Sequence, residues 1–90
     1  MLELRLLEDS ADFLATRPPK HQRQIVAKIQ ALRNDPCPAD SKVMKGSEAG
    51  FRRADVGEYR ILYRIEDNAL RVALIGKRND DEVYRRMGRK

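Results

Sequence analysis

Leu2, Leu4 and Leu6 alternate with Glu3 and Arg5, the two-residue period of a strand with one buried face. Glu8, Asp9 and Ser10 follow, residue types that cap or begin helices, and Phe13 and Leu14 give the short helix they open its apolar side. Pro18 and Pro19 stop that helix and suit the first turn of a second one, predicted over residues 18–33. There Ile25, Ile29 and Leu32 recur at helical spacing and Val26 widens the stripe. Turn formers crowd residues 34–41, N-D-P-C-P-A-D-S, predicting a loop that leads through K-V-M-K-G to a second strand near Phe51. Tyr59, Ile61, Tyr63 and Ile65 then alternate with Arg60, Leu62 and Arg64. Beyond the turn E-D-N-A, Leu70, Val72 and Leu74 alternate with Arg71, Ala73 and Ile75. This predicts an antiparallel hairpin whose Ile61 and Val72 set meets the helices while Arg60 and Arg64 emerge on the other face. Asn79 and Glu82 have the spacing of a capping box, so residues 79–87 predict a short terminal helix.

The element order predicts an α+β domain spanning residues 1–90: an N-terminal strand, a two-helix hairpin, a three-stranded antiparallel meander and a short C-terminal helix. Ninety residues support a single core and leave no room for a cofactor domain beside a substrate domain. Charge then separates the two halves. Residues 1–40 carry six Lys/Arg against six Asp/Glu, and residues 41–90 carry thirteen against eight, so the whole net charge of +5 lies in the hairpin half. That half is the one expected to face a polyanion. No run of about 18 apolar residues occurs, and acids stand where a signal peptide needs bases, so a cytoplasmic protein with no membrane partner is expected. The single cysteine, Cys37, lies between two prolines and reads as a loop spectator rather than a disulfide or a nucleophile.

Candidate chemistry is cationic. The only histidine, His21, lies among Lys20, Gln22 and Arg23 as an exposed helix residue, and the run Asp80, Asp81, Glu82 suits the first turn of a helix. Neither calls for a metal, and no cofactor is expected. Arg60, Arg64 and Arg71 share the open face by alternation, and Arg78 follows the last strand, where loops tend to carry functional groups. RNA cleaves itself once its 2′-hydroxyl is aligned with phosphorus and the transition-state charge is neutralised, so a cluster of cations meets the requirement.

The phrases G-E-Y-R-I-L-Y-R at residues 57–64 and G-K-R-N-D-D-E-V-Y at residues 76–84, with M-K-G-S-E-A-G-F-R-R at residues 44–53, resemble the RelE/ParE superfamily of type II toxin-antitoxin toxins. The resemblance spans nearly the whole chain. It implies a RelE/ParE-like fold and, for the RelE-like branch, a metal-independent endoribonuclease that cuts messenger RNA in the ribosomal A site, leaving a 2′,3′-cyclic phosphate and a 5′-hydroxyl. By the same resemblance Arg60 holds the scissile phosphate, Arg78 neutralises or protonates the leaving oxygen, and Tyr84 orients the nucleotide. Lys45, Arg53, Arg64 and Lys77 are the expected substrate-binding residues. A cognate antitoxin is the implied partner beside ribosome and message, in a hetero-oligomer that binds operator DNA. The chain departs from the branch's best-known nuclease on the second strand. Where that enzyme has lysines one and three positions after an aromatic residue, Phe51 is followed by Arg52, Arg53 and Ala54. Arg52 is therefore a catalytic candidate as a phosphate clamp, and Lys42 or Lys45 is left to supply an amine as proton acceptor. The other readings are a ParE-like inhibitor of DNA gyrase and an inactive member that only binds nucleic acid or a partner.

Overall fold

The computed structural model describes residues 1–44 and 50–78. Two helices, α1 (Glu8–Ala15) and α2 (Pro19–Asn34), follow the first strand, β1 (Glu3–Leu6). Four more strands complete the described chain: β2 (Ser41–Val43), β3 (Arg52–Val56), β4 (Tyr59–Glu66) and β5 (Ala69–Lys77). They form one sheet in the order β1-β5-β4-β3-β2, with β1 parallel to β5 and every other pair antiparallel. No helix among the described residues is long and apolar enough to cross a membrane. The predicted terminal helix lies outside the described residues.

The helices cover one face of the sheet. Ile25, Ile29 and Leu32 of α2 are buried against Ala54, Tyr59, Ile61, Tyr63, Leu70, Val72 and Ile75, with Phe13 and Leu14 of α1 at the margin. Burying side chains of this size contributes on the order of 1.5–3 kcal/mol each, so this layer is the main source of stability. Val26 is not part of it. At 41% exposure it lies on the solvent side of α2, which the apolar count alone placed one position too generously. Ser10 also differs from expectation: the residue before α1 is Leu7, without a side-chain cap, and Ser10 is buried, its hydroxyl donating to the Val72 carbonyl at 3.3 Å. It fastens the helix to β5 rather than capping it. His21 is half-buried rather than exposed, its Nδ1 2.7 Å from the hydroxyl of Tyr59, whose ring is only 1% exposed. A buried phenol needs such a partner.

Two short turns set the register. Asp67 and Asn68, both at positive φ, close the β4–β5 hairpin, as Asx residues can. Gly57, at φ 57°, opens the two-residue turn between β3 and β4, so that Asp55 stands opposite Arg60. A third feature breaks the predicted alternation. Ile61 pairs with Ile75 and Leu62 with Leu74, but Tyr63 pairs with Val72, which leaves Ala73 bulged out of the ladder. Leu70 and Val72 point to the helices as expected, yet past the bulge Ile75 is buried there in place of Leu74. The bulge sits where β1 ends: Leu6 is opposite Val72, and the Leu7 amide then donates to the Val72 carbonyl. β2 is also additional to the predicted meander, because three residues are too few to show a period.

Candidate functional site

On the face away from the helices, Asp40, Lys42, Arg53, Asp55 and Arg60 line an open cavity of about 150 Å³. Its positions follow from pairing: Lys42 stands opposite Arg53 across β2 and β3, and Asp55 opposite Arg60 across β3 and β4. Asp40 enters from the loop before β2 and is held by Lys28 of α2 at 2.7 Å. A phosphate group fits a space of this size, and the walls supply both charge and hydrogen-bond donors for it.

Arg60 is the most constrained of these groups, its side chain 13% exposed. Its Nε donates to Asp55 Oδ1 at 2.7 Å and its Nη2 to Asp55 Oδ2 at 3.2 Å, a bidentate pair that fixes the plane of the guanidinium. Arg78 reaches the same carboxylate from just beyond β5, with Nη1 3.3 Å from Asp55 Oδ2. It arrives on this face because the bulge at Ala73 reverses the alternation of β5; counted from Val72 without a bulge, position 78 faces the helices. Gly76, paired with Arg60, places no side chain between them. Two guanidiniums therefore converge on one carboxylate at the edge of a cationic cleft.

The hydrogen bond from Arg60 holds the Asp55 carboxyl below its ordinary 3.8; the charge of Arg60 and contact with Arg78 add to this, and burial opposes it. Because the folded value is depressed, the pairing contributes its full stability above the unfolded value and loses it as pH falls through the folded one. We expect the stability gap between the wild type and Asp55→Asn, measured by urea unfolding, to hold from neutral pH down to about the ordinary carboxylate value and to shrink below it. A gap that widens on acidification excludes this pairing.

The other predicted residues divide. Arg53 and Arg60 line the cavity and Arg78 meets Asp55 beside it. Arg64 lies farther along the same face, 3.1 Å from Glu66, which Arg71 also holds at 2.9 Å. The hydrogen bond from Arg71, ahead of that from Arg64, lowers the Glu66 carboxyl in turn. Arg52 is not brought to this group. It shares the helix side with Ala54, and its Nη2 donates to the Ser41 hydroxyl at 2.8 Å. Lys77, paired with Tyr59, is exposed on that same side. Lys45 and Tyr84 lie outside the described residues. Asp55 and Asp40 were missed in the sequence, where the search was for cations. Asp55 was nevertheless accessible, since a two-residue turn at Gly57 places residue 55 opposite residue 60 by counting alone.

Residues 4–82 match the family model described as the ParE toxin of the type II toxin-antitoxin system. Among solved structures, the archaeal RelE–RelB complex from Pyrococcus horikoshii is 20% identical, with a TM-score of 0.75 over 86% of this chain and 94% of that one. The RelBE2 toxin-antitoxin complex from Mycobacterium tuberculosis is 25% identical, with a TM-score of 0.73 over 86% and 98%. The isolated Escherichia coli RelE toxin is 17% identical, with a TM-score of 0.74 over 97% and 99%. No curated protein sequence matches the chain.

Proposed function

Since the chain belongs to the ParE toxin family of type II toxin-antitoxin systems, within the RelE/ParE superfamily, we propose that its cationic cleft cleaves messenger RNA on the ribosome. The observation that carries this is the convergence of Arg60, on β4, and Arg78, just beyond β5, on one point of an open cleft that also holds Arg53 and Lys42. A scissile phosphate placed there meets a guanidinium held by two hydrogen bonds in Arg60 and a more exposed one in Arg78. The 2′-oxygen attacks phosphorus, the bond to the 5′-oxygen breaks, and the guanidiniums offset the charge that builds on the non-bridging and leaving oxygens. Lys42, opposite Arg53 in the cleft, is the side chain placed to take the 2′ proton once its ammonium has itself given one up. Guanidiniums hold their protons too tightly for that task. The leaving 5′-oxygen takes its proton from solvent, so the products are a 2′,3′-cyclic phosphate and a 5′-hydroxyl. Tyr84 and Lys45 complete the nucleotide contacts in this reading, Arg64 extends the basic face along the message, and the enzyme acts in the cytoplasm. The RelE–RelB complexes support a cognate antitoxin as the protein partner.

A gyrase-directed reading is favoured by one observation, the ParE description of the matching family model. Inducing the chain in a bacterial host, mapping messenger 5′ ends and following DNA supercoiling separates the two. New ends in phase with the reading frame, absent with Arg78→Ala, are the expected result. Intact messages with altered supercoiling or DNA damage would transfer the assignment to gyrase.

A further inference from the structure

We propose that Asp55 is a positioning residue, whose carboxylate sets Arg60 and Arg78 side by side as one two-armed clamp for a substrate phosphate. This deepens the nuclease reading and rests on it. Asp55 contacts no reacting atom in this account; it acts through the two guanidiniums.

The geometry distinguishes a holder from a mask. A carboxylate that merely blocks the cleft would sit over the most accessible part of its arginine. Asp55 instead grips Arg60 side-on through Nε and Nη2, and Arg60 is the more buried partner, 13% exposed against 34%. Arg78 has one contact at 3.3 Å and is 47% exposed, so it is the arm that moves from carboxylate to ligand while Arg60 stays in place. Like charges so close repel, and the single carboxylate between them offsets that repulsion. The backbone is arranged for it: the Gly57 turn puts Asp55 opposite Arg60, and the bulge at Ala73 turns Arg78 to the same face.

The two roles predict opposite signs. Removing Asp55 raises the net charge from +5 to +6, so electrostatic attraction for RNA rises. For a mask, cleavage rises with it. For a positioning residue, the saturating rate falls while binding holds or tightens. Single-turnover cleavage of a defined message in a translation reaction, with ribosome concentration varied, reads both quantities. Asp55→Ala and Asp55→Asn should lower the maximal rate by roughly 30- to 100-fold, the scale of a small misplacement of a reacting group. Their half-saturating concentration should stay equal or fall, and circular dichroism should match the wild type. Asp55→Glu, which restores the carboxylate, should recover most of the loss. An unchanged or raised maximal rate in Asp55→Asn overturns the proposal.

A second readout covers the case in which the wild type cuts nothing. In the full chain, Arg60 and Arg78 Nε–H resonances followed by NMR during titration with inorganic phosphate should move together with one dissociation constant, and should separate in Asp55→Asn. Joint movement in that variant, or no phosphate response in the wild type, sinks the clamp whatever becomes of the nuclease.

Discussion

Replacing Arg60 with alanine is expected to lower message cleavage by roughly two to three orders of magnitude and to abolish growth arrest, with the fold unchanged. The magnitude is that of removing one preorganised donor from a charge-stabilising site. The fold should persist because the ion pair with Asp55 lies at a partly solvated surface, where such pairs contribute about 1 kcal/mol or less, and Arg78 remains within reach of the stranded carboxylate. Arg60→Lys should recover little of the activity. An ammonium keeps the charge but cannot make the two parallel contacts that orient the group, so a conservative substitution by charge is not conservative here. Single-turnover cleavage and induced growth curves check both variants. An Arg60→Ala chain that still cuts messages at the wild-type rate would remove the cleft from the mechanism.

The second large effect concerns the bulge in β5. Ile75→Ala should destabilise the protein by about 3 kcal/mol, and Leu74→Ala by about 1 kcal/mol, the difference between a methylene set deleted inside the core and one deleted from a half-buried site. For a chain of this length the first loss corresponds to a melting temperature lower by more than about 10 °C. Chemical denaturation of both variants measures the ordering. Uninterrupted alternation from Leu70 predicts the reverse, so equal or inverted costs would mean that Ala73 is not bulged.

The same strand shows where the sequence ceases to be legible. Elements with several repeats of their period were clear: α2 was expected over residues 18–33 and spans Pro19–Asn34, and the β4–β5 hairpin turns at Asp67 and Asn68 within the expected tetrapeptide. Two apolar residues in succession, Leu74 and Ile75, carry no mark of which one faces inward. The inward one is set by the bulge at Ala73, which lies beside the end of β1, a contact distant in sequence. Val26 belongs to the same class, since the width of a helical stripe depends on how far the sheet extends beneath it. Within the cleft, the arginines were found as charges, while the carboxylate that gathers them was passed over because an acid in a basic face resembles ordinary surface balance. Arg52 shows the converse error: an arginine next to an aromatic residue has the right chemistry, but its parity with Ala54 carries it to the other side of the sheet. Chemistry was readable from composition; the face it served depended on register.

The parallel pairing of β1 with β5 also has a kinetic side. Glu3 lies beside Ala69 and Leu6 beside Val72, so β1 must wait for a strand made much later in the chain before it finds its neighbour. Contacts of such long range form late and slowly. While residues 69–78 are still in the exit tunnel, β1 has no strand to join, β4 has no outer partner, and Arg78 cannot reach Asp55. The cleft therefore takes its shape only once residues 69–78 have emerged and paired with β1 and β4.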